Sequence, residues 1–587
     1  MANYNFKVDL KGIIRLLSDN LYSTKDVFLR ELLQNAVDAI RARKKEDPEF
    51  KDGMIKVHYE MQKDKSAILI FEDNGIGLNK EEIHSFLSVI GQSSKWGEEL
   101  RSSFIGQFGI GLLSCFLVAE EIKVKSHSFK EDISYQWIGH NNGTYSITQL
   151  KEEVPIGTAI YLHLRTDIAQ EYGEKKIIQK LSEYGFLIIP PIIFEGQKER
   201  KQINNAFIPW RQQFCTKDEI MEFGEQVFEE EFLDVIPLKG EGIRGYAYIC
   251  ERQLNAATAN QHKIFLKNMF ITEDGKELIP KWAFFTKCIL NCDDLTPTAS
   301  RESFSRDYKL MKTKNIIEKC IFDYFSTIAK LDVRKLKQIT MIHNIAIKSL
   351  AIENEKIYKL FFPFLTFSTN RGNLTGFQIL EAAKRVPVHY CVEIDSYRRI
   401  SPLVENGTGL LINAGYIYDT KLLQMMNDYY KGIEIKVFDE SSYEHLLETP
   451  SSKVLMEMAI LLETAKKALD SYKCSVSLKT YSPKQLSVIY VPADDAFLET
   501  AFDANEYSGF FENFSFVEET EYSAKLYLNS DNSLIQRLAA VTDMEMLSTI
   551  IQVLYVQALL SGHYPLGEKE MELLNKNLEK LIEYGLE

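Results

Sequence analysis

Residues 28 to 38 read Phe28-Leu-Arg-Glu-Leu-Leu-Gln-Asn-Ala-Val-Asp38, and the rest of the chain is interpreted around this stretch. At about 100° of rotation per helical residue, Glu31, Asn35 and Asp38 fall within roughly 60° of one another. The other side of this helix is apolar and would face a core. The helix therefore presents a short row of carboxylate, amide and carboxylate, which by itself is more often a solvated face than a site.

Two glycine-containing stretches change that interpretation. Asp73-Asn-Gly-Ile-Gly77 follows the predicted strand 67–71, and Gly106-Gln-Phe-Gly-Ile-Gly111 precedes a predicted apolar helix at 112–119. Glycine lets the backbone approach a ligand closely, and free N–H groups at a helix start favour phosphate. Neither stretch is a Walker A loop or a dinucleotide fingerprint. Together with the polar row they predict one nucleotide pocket.

The residues around these motifs predict the helices and strands that would frame the pocket. Ser23-Thr24 is a helix start signal, with Asp26 expected in the first turn. Alternating or buried apolar residues predict strands, and residues 82–91 have the pattern of a helix. The predicted strands are 6–10, 55–59, 67–71 and 157–164.

Composition limits the class of protein. A chain of 587 residues is too long for one core and indicates about three units. A net charge of -14 opposes the broad basic surface of a nucleic-acid or anionic-lipid binder. Eight scattered cysteines without a Cys-x-x-Cys pair indicate reduced thiols and no zinc site. The N-terminus lacks a signal-peptide pattern, and no apolar run approaches 18 residues, so we expect a cytoplasmic protein without a membrane span.

The motifs resemble the four nucleotide-binding boxes of the GHKL (Bergerat-type) ATPase superfamily, which gyrase, heat-shock protein 90, sensor histidine kinases and MutL share. The sequence of residues 22–32 and 105–111 is similar specifically to that of the heat-shock protein 90 chaperones. The short joint after residue 194 resembles that of bacterial members. The four boxes are Glu31-x-x-x-Asn35-x-x-Asp38, Asp73-x-Gly-x-Gly77, Gly106-Gln-Phe-Gly-Ile-Gly111 and Gly157-Thr158.

The resemblance implies an α/β fold in three domains. Residues 1–200 would form a two-layer α/β sandwich that binds ATP, with the first boundary in the polar segment 194–205. Residues 206–440 would form an α/β middle domain, and residues 441–587 a mainly helical α+β dimerisation domain. The likeness is strong to about residue 165, moderate to 440 and patchy beyond.

The resemblance also implies roles for the site residues. Glu31 would orient and deprotonate the attacking water, helped by burial, and Asn35 would supply an oxygen to Mg²⁺. Asp73 would accept a hydrogen bond from the adenine amino group, supported by Thr158. The remaining expected ATP-binding residues are Asp38, Gly77, Gln92, Ser93, Ser94, Gly106, Phe108, Gly109, Gly111 and Leu112.

A second catalytic residue is expected from outside the ATP-binding domain. The stretch Leu295-Thr-Pro-Thr-Ala-Ser-Arg301-Glu-Ser-Phe304 is similar to the arginine loop of the family's middle domain. By this resemblance Arg301 contacts the γ-phosphate, and we expect it to reach the pocket only after domain closure.

Some residues depart from the family pattern. Gln92 stands where a lysine is usual, Leu112 where an aromatic residue is common, and Ser305 where a glutamine often follows the arginine loop. Lys95 would be a substitute for the missing cation. The segment before Gly106 is also several residues short, so weak turnover is expected.

The function that the resemblance implies is an ATP-driven homodimeric chaperone of unfolded or partly folded client proteins. The chain ends without the tail that recruits tetratricopeptide co-chaperones, so none is expected. The alternatives are a MutL- or gyrase-like DNA-associated ATPase, which the acidic charge opposes, and a nucleotide-binding scaffold with little turnover. A sensor kinase would need a phosphoacceptor helix pair upstream of residue 24.

An aromatic segment at 493–516 is a candidate client surface. It includes Phe510 and Phe511 among acidic and small residues. Such aromatics more often fill a core, but an exposed aromatic patch marks an interaction site.

Overall fold

The computed structural model describes most of the chain in two compact units, residues 1–331 and 332–587. The described residues are 12, 24–87, 111–152, 154–197, 199–204, 206–254, 261–404, 409–438, 446–492, 524–562 and 564–586. The predicted strand at 6–10 and the aromatic segment 493–516 lie outside them.

An eight-stranded sheet forms the first half of unit 1, in the order β5-β4-β3-β6-β2-β1-β7-β8. The predicted strands at 55–59, 67–71 and 157–164 are confirmed as β1, β2 and β6. Alternate residues of β1 and β2 are buried, as a sheet covered on one face requires. The strands are β1 Ile55–Met61, β2 Ala67–Asp73, β3 Ala119–His127, β4 Ser134–His140, β5 Tyr145–Gln149, β6 Gly157–Leu164, β7 Ile192–Glu195 and β8 Arg200–Gln202.

The helices of this half include α1, Val27–Glu46, which carries the polar row and buries its apolar side. Its start differs from the prediction. Asp26 is the N-cap residue rather than part of the first turn, and it makes no side-chain capping bond. Instead its carboxylate accepts a 2.9 Å hydrogen bond from Tyr184 and lies 3.1 Å from Lys180. The other helices are α2 Lys80–Leu87, α3 Thr166–Glu171 and α4 Glu174–Gly185.

One further prediction needs correction. The expected α-helix at 112–119 is a 3₁₀ helix, Gly111–Leu117, because strand β3 begins at Ala119 and leaves no length for a regular helix. The polar segment 194–205, where the first domain boundary is expected, includes the turn and second strand of the β7–β8 hairpin, and β7 pairs in parallel with β1. A polar composition did not exclude an edge hairpin, whose outer side chains face solvent.

The second half of unit 1 is a five-stranded sheet in the order β12-β11-β13-β10-β9, and a long helix packs against β9. Every residue of β13 is buried, which makes this strand the centre of the core. The elements are α5 Lys217–Phe228, β9 Phe232–Gly240, β10 Ile243–Cys250, β11 Gln261–Leu266, β12 Met269–Asp274, β13 Thr286–Cys292 and α6 Tyr308–Leu331.

Unit 2 contains a five-stranded sheet, ordered β15-β14-β17-β16-β18, and a three-stranded sheet, ordered β19-β21-β20. Its strands are β14 Thr366–Thr369, β15 Gly372–Thr375, β16 Val388–Cys391, β17 Leu410–Asn413, β18 Ile435–Val437, β19 Cys474–Lys479, β20 Val488–Pro492 and β21 Ala524–Asn529. Its helices are α7 Val333–Ile342, α8 Asn344–Glu353, α9 Glu355–Phe361, α10 Gly376–Ala383, α11 Ile394–Ile400, α12 Asp419–Tyr429, α13 Ser452–Glu457, α14 Ala459–Leu469, α15 Ser533–Leu538, α16 Met544–Ser561 and α17 Glu568–Leu586.

Helix α16 has the length and apolar composition of a membrane span. It nevertheless packs on α14, α17 and β20, and its Leu547, Ile551 and Val556 are buried in the core around the three-stranded sheet. These contacts are those of a core helix, since the apolar side chains already have protein partners.

Candidate functional site

The polar row of α1 lies in the wall of a pocket bounded by α1, β2, α2 and β6. Glu31 is buried, Asn35 is exposed, and Asp38 lies 3.7 Å from Arg41. Asn35 is the exposed residue in an otherwise buried stretch from residue 27 to residue 37. The amphipathic pattern therefore directs the row into a cavity and not onto an open surface.

Asp73 ends strand β2 at the floor of this pocket. Its Oδ1 accepts a 2.8 Å hydrogen bond from the N–H of Gly75. Burial raises the pKa of Asp73 to about 7, and the hydrogen bond from Gly75 opposes that rise. The carboxyl group thus changes charge near neutral pH.

Thr158 is directly opposite Asp73 in the ladder between β2 and β6. Its Oγ1 lies 2.9 Å from Oγ of Ser126, a buried residue of β3. The register therefore places side by side the two residues that the resemblance assigns to adenine.

Two glycines bring the backbone close to the site. A Cβ on Gly111 would lie 2.4 Å from Oε2 of Glu31, so a larger residue there would displace that carboxylate. Gly77 has φ +68°, and a Cβ there would lie 1.8 Å from the carbonyl oxygen of His127. Both line the pocket, where a bulkier residue would displace the walls.

Arg301 is buried against α1 within unit 1. Its Nη1 donates to Oε2 of Glu31 and to the side-chain oxygen of Gln34. Arg30 holds the loop from the other side, donating to the carbonyls of Ser300 at 2.7 Å and Arg301 at 3.1 Å. The arginine loop is thus fastened to the helix that carries the polar row.

The side chain of Arg301 lines the pocket beside Glu31 in this structure, and the expectation that it reaches the γ-phosphate after domain closure stays a prediction. Arg301 adopts φ +55°, a left-handed conformation that costs a non-glycine residue free energy. The loop contacts with Arg30 and Gln34 offset that cost.

The structure brings all nine candidates that lie in described residues together around one pocket. These are Glu31, Asn35, Asp38, Asp73, Gly77, Gly111, Leu112, Thr158 and Arg301. The candidates Gln92, Ser93, Ser94, Gly106, Phe108 and Gly109 lie outside the described residues.

Sequence reasoning missed several residues at this site. Gln34, Arg30 and Ser126 act through long-range contacts for which the local pattern carries no signal. Glu82 and Phe86 of α2 also line the pocket. Helix α2 was predicted, and its apolar period could have indicated that Phe86 faces inward.

Family models match two stretches of the chain. Residues 22–157 match the family described as histidine kinase-, DNA gyrase B- and HSP90-like ATPase. Residues 248–380 match the Hsp90 protein family. The first stretch contains Glu31, Asp73 and Gly111, and the second contains Arg301.

Similar proteins cover nearly the whole chain. The chaperone protein HtpG of Borreliella afzelii is 26% identical over 98% of this chain and 99% of its own length. HtpG of Wolinella succinogenes is 26% identical over 99% of this chain and 100% of its own. HtpG of a Sulfurovum species is 29% identical over 64% of each. With both family matches and the geometry of the pocket, these likenesses make the chain similar to the heat-shock protein 90 chaperones along nearly its whole length.

Proposed function

We propose that this protein is an ATP-dependent molecular chaperone that hydrolyses ATP in the pocket between α1 and β2. The observation that carries the proposal is the buried contact of Arg301 with Glu31 at the pocket wall. It joins a candidate base to a cation that neutralises phosphoryl charge, and ATP hydrolysis needs both. The DNA-associated alternative is not favoured, since the full-length relatives are chaperones by name.

Glu31 and Arg301 would divide the chemistry between them. Glu31 orients the attacking water and takes its proton, while Arg301 stabilises charge on the γ-phosphoryl oxygens. Oε2 of Glu31 accepts a hydrogen bond from Arg301, whereas Oε1 is buried without a hydrogen-bond partner among the described residues. Oε1 is therefore the oxygen that would take the proton of the attacking water.

The residues fit a Mg²⁺ ion bound with the nucleotide. Asn35 offers an exposed amide oxygen one turn from Glu31, and the carboxylate of Asp38 lies further along the same wall. Mg²⁺ prefers such hard oxygen ligands together with phosphate oxygens and waters. When bound, the ion would neutralise charge on the phosphates.

We also propose that the protein is a homodimer through unit 2. Helix α17 exposes Met571, Leu578, Ile582 and Leu586, which lie within about 80° of one another at helical spacing. This exposed apolar stripe, hereafter the α17 stripe, fits the same stripe of a second copy, as a symmetric pair requires. The division into domains at 200 and 440, client binding near Phe510 and Phe511, and a cytoplasmic location belong to the same proposal.

Steady-state ATP hydrolysis by the full chain tests the function. We expect slow turnover that Glu31→Ala abolishes while nucleotide binding persists. Binding without turnover in the wild type would identify the protein as a nucleotide-binding scaffold. A second assay, suppression of aggregation of a heat-denatured enzyme with and without ATP, tests the chaperone activity itself.

A further inference from the structure

Ser126 lies behind Thr158, one strand away from the pocket. It belongs to β3, is fully buried, and stands directly opposite Thr158 in the ladder between β3 and β6. Three polar atoms surround its Oγ: the N–H nitrogen of Leu78 at 2.8 Å, the carbonyl oxygen of Gly157 at 3.0 Å and Oγ1 of Thr158 at 2.9 Å. Ser126 therefore contacts both the Gly77–Leu78 turn and the start of β6.

The available protons assign a direction to each of these hydrogen bonds. The N–H of Leu78 only donates, so Ser126 accepts there, and the carbonyl of Gly157 only accepts, so Ser126 donates its single proton to it. All three contacts are hydrogen bonds only when Thr158 donates its own proton to Ser126. Because buried polar groups are nearly always hydrogen-bonded, we adopt this assignment.

The consequence concerns what Thr158 offers to a ligand. With its proton directed at Ser126, Oγ1 of Thr158 turns only lone pairs toward the pocket. Across the ladder, Asp73 also offers acceptor oxygens. A nucleobase whose amino group faces Thr158 and Asp73 donates hydrogen bonds to both side chains. A nucleobase with a carbonyl group in the same place would set its acceptor oxygen against two acceptors. An unpaired buried polar group of this kind costs affinity.

We propose that Ser126 is a specificity-determining residue, which makes this pocket accept 6-aminopurine nucleotides and reject 6-oxopurine nucleotides by holding Thr158 as an acceptor. The inference rests on the proposed nucleotide binding and deepens it. Ser126 touches no ligand itself and acts by positioning the Thr158 proton.

The test compares binding of ADP and inosine diphosphate, which differ in the group at position 6, to the full chain by calorimetry at pH 8. At this pH Asp73 is ionised, since its pKa is about 7. The wild type should prefer ADP, and Ser126→Ala should lower the ratio of the two affinities by roughly tenfold, because Thr158 can then turn and donate. Ser126→Thr keeps the hydroxyl and should retain the wild-type ratio.

The matched control is Ser134→Ala, a buried serine of the neighbouring strand β4 whose hydroxyl bonds His127 and not Thr158. A general loss of packing weakens both nucleotides equally, so the ratio separates specificity from structure. An unchanged ratio in folded Ser126→Ala, or a wild type that binds both nucleotides equally, would overturn the inference. If Ser126→Ala does not fold, Ser126→Cys replaces it, with the same lowered ratio expected. A wild type that binds neither nucleotide would instead refute the proposed function.

Discussion

Arg301 donates a hydrogen bond from its guanidinium to the carboxylate of Glu31, and both side chains are buried. The two residues are 270 positions apart in sequence, yet they meet inside one compact unit. The ion pair joins the candidate base directly to the residue that is proposed to contact the γ-phosphate.

Glu31→Gln should abolish ATP hydrolysis and leave ADP affinity within about threefold of the wild type, because the base acts mainly on the transition state. Glutamine keeps an oxygen near Arg301, so the fold should persist better than with Glu31→Ala, for which loss of a buried partner costs about 3–5 kcal/mol. Phosphate release and calorimetry measure both quantities. The control Glu81→Gln changes an exposed glutamate of α2. Equal hydrolysis in Glu31→Gln and the wild type would remove Glu31 from the mechanism.

Arg301→Ala should slow hydrolysis by at least about tenfold, with a smaller effect on ADP affinity, since the lost charge stabilises the transferring phosphoryl group. Arg306→Ala is the matched control, because Arg306 is a nearby arginine whose side chain is exposed and pairs with Glu277 at 3.3 Å. Single-turnover kinetics separate chemistry from product release. The role fails if both variants hydrolyse ATP at the wild-type rate.

Asp73→Asn should lose nearly all affinity for adenine nucleotides. Its oxygen at the Oδ1 position keeps the bond from Gly75, which turns the new NH₂ group toward the adenine amino group. Two donors then face one another in a buried site. Equilibrium binding of ADP checks this, with Asp64→Asn in the exposed β1–β2 turn as the control. Tight binding by Asp73→Asn would contradict the adenine assignment.

Adenosine binding should strengthen as the pH rises through 7, because adenosine requires the ionised form of Asp73, whose pKa is about 7. Below pH 7 binding must release a proton, which calorimetry in two buffers of different ionisation enthalpy detects. The stability of the ligand-free protein should change in the opposite direction. Asp73 ionises at a lower pH in the unfolded chain than in the folded protein, so it lowers the free energy of unfolding as the pH rises from 3.8 to about 7. Absence of proton release at pH 6.5 would show that Asp73 binds in one charge state.

Replacing Leu578 and Ile582 of the α17 stripe by glutamate should convert the dimer to a monomer, because the substitutions bury like charges between two copies. Hydrolysis should also slow, since tethering raises the effective concentration of two ATP-binding domains. Lys576→Glu, an exposed change on another face of α17, controls for charge. Sedimentation gives the mass, and a dimer of unchanged stability in the double variant would place the interface elsewhere.

The sequence alone was enough to predict individual helices and strands, and the polar side chains that each of them contributes to the pocket. The 3.6-residue period of α1 placed Glu31, Asn35 and Asp38 on one side, and the buried run 67–71 placed Asp73 at a strand end. These predictions were right because periodicity depends only on neighbours along the chain. The α-helix predicted at 112–119 was wrong, because the pairing of β3 with distant strands ends the helical segment before Ala119. The domain boundary at 194–205 stays a prediction.

The contacts between residues far apart in the sequence could be seen only in the tertiary structure. The β3–β6 register places Ser126 against Thr158, 32 positions away, and the arginine loop reaches α1 across 270 positions. Such contacts depend on strand register and side-chain packing, which no window of sequence contains. The candidate reacting groups could therefore be proposed from the chain, whereas the direction of the Thr158 proton and the pairing of Arg301 with Glu31 required the fold.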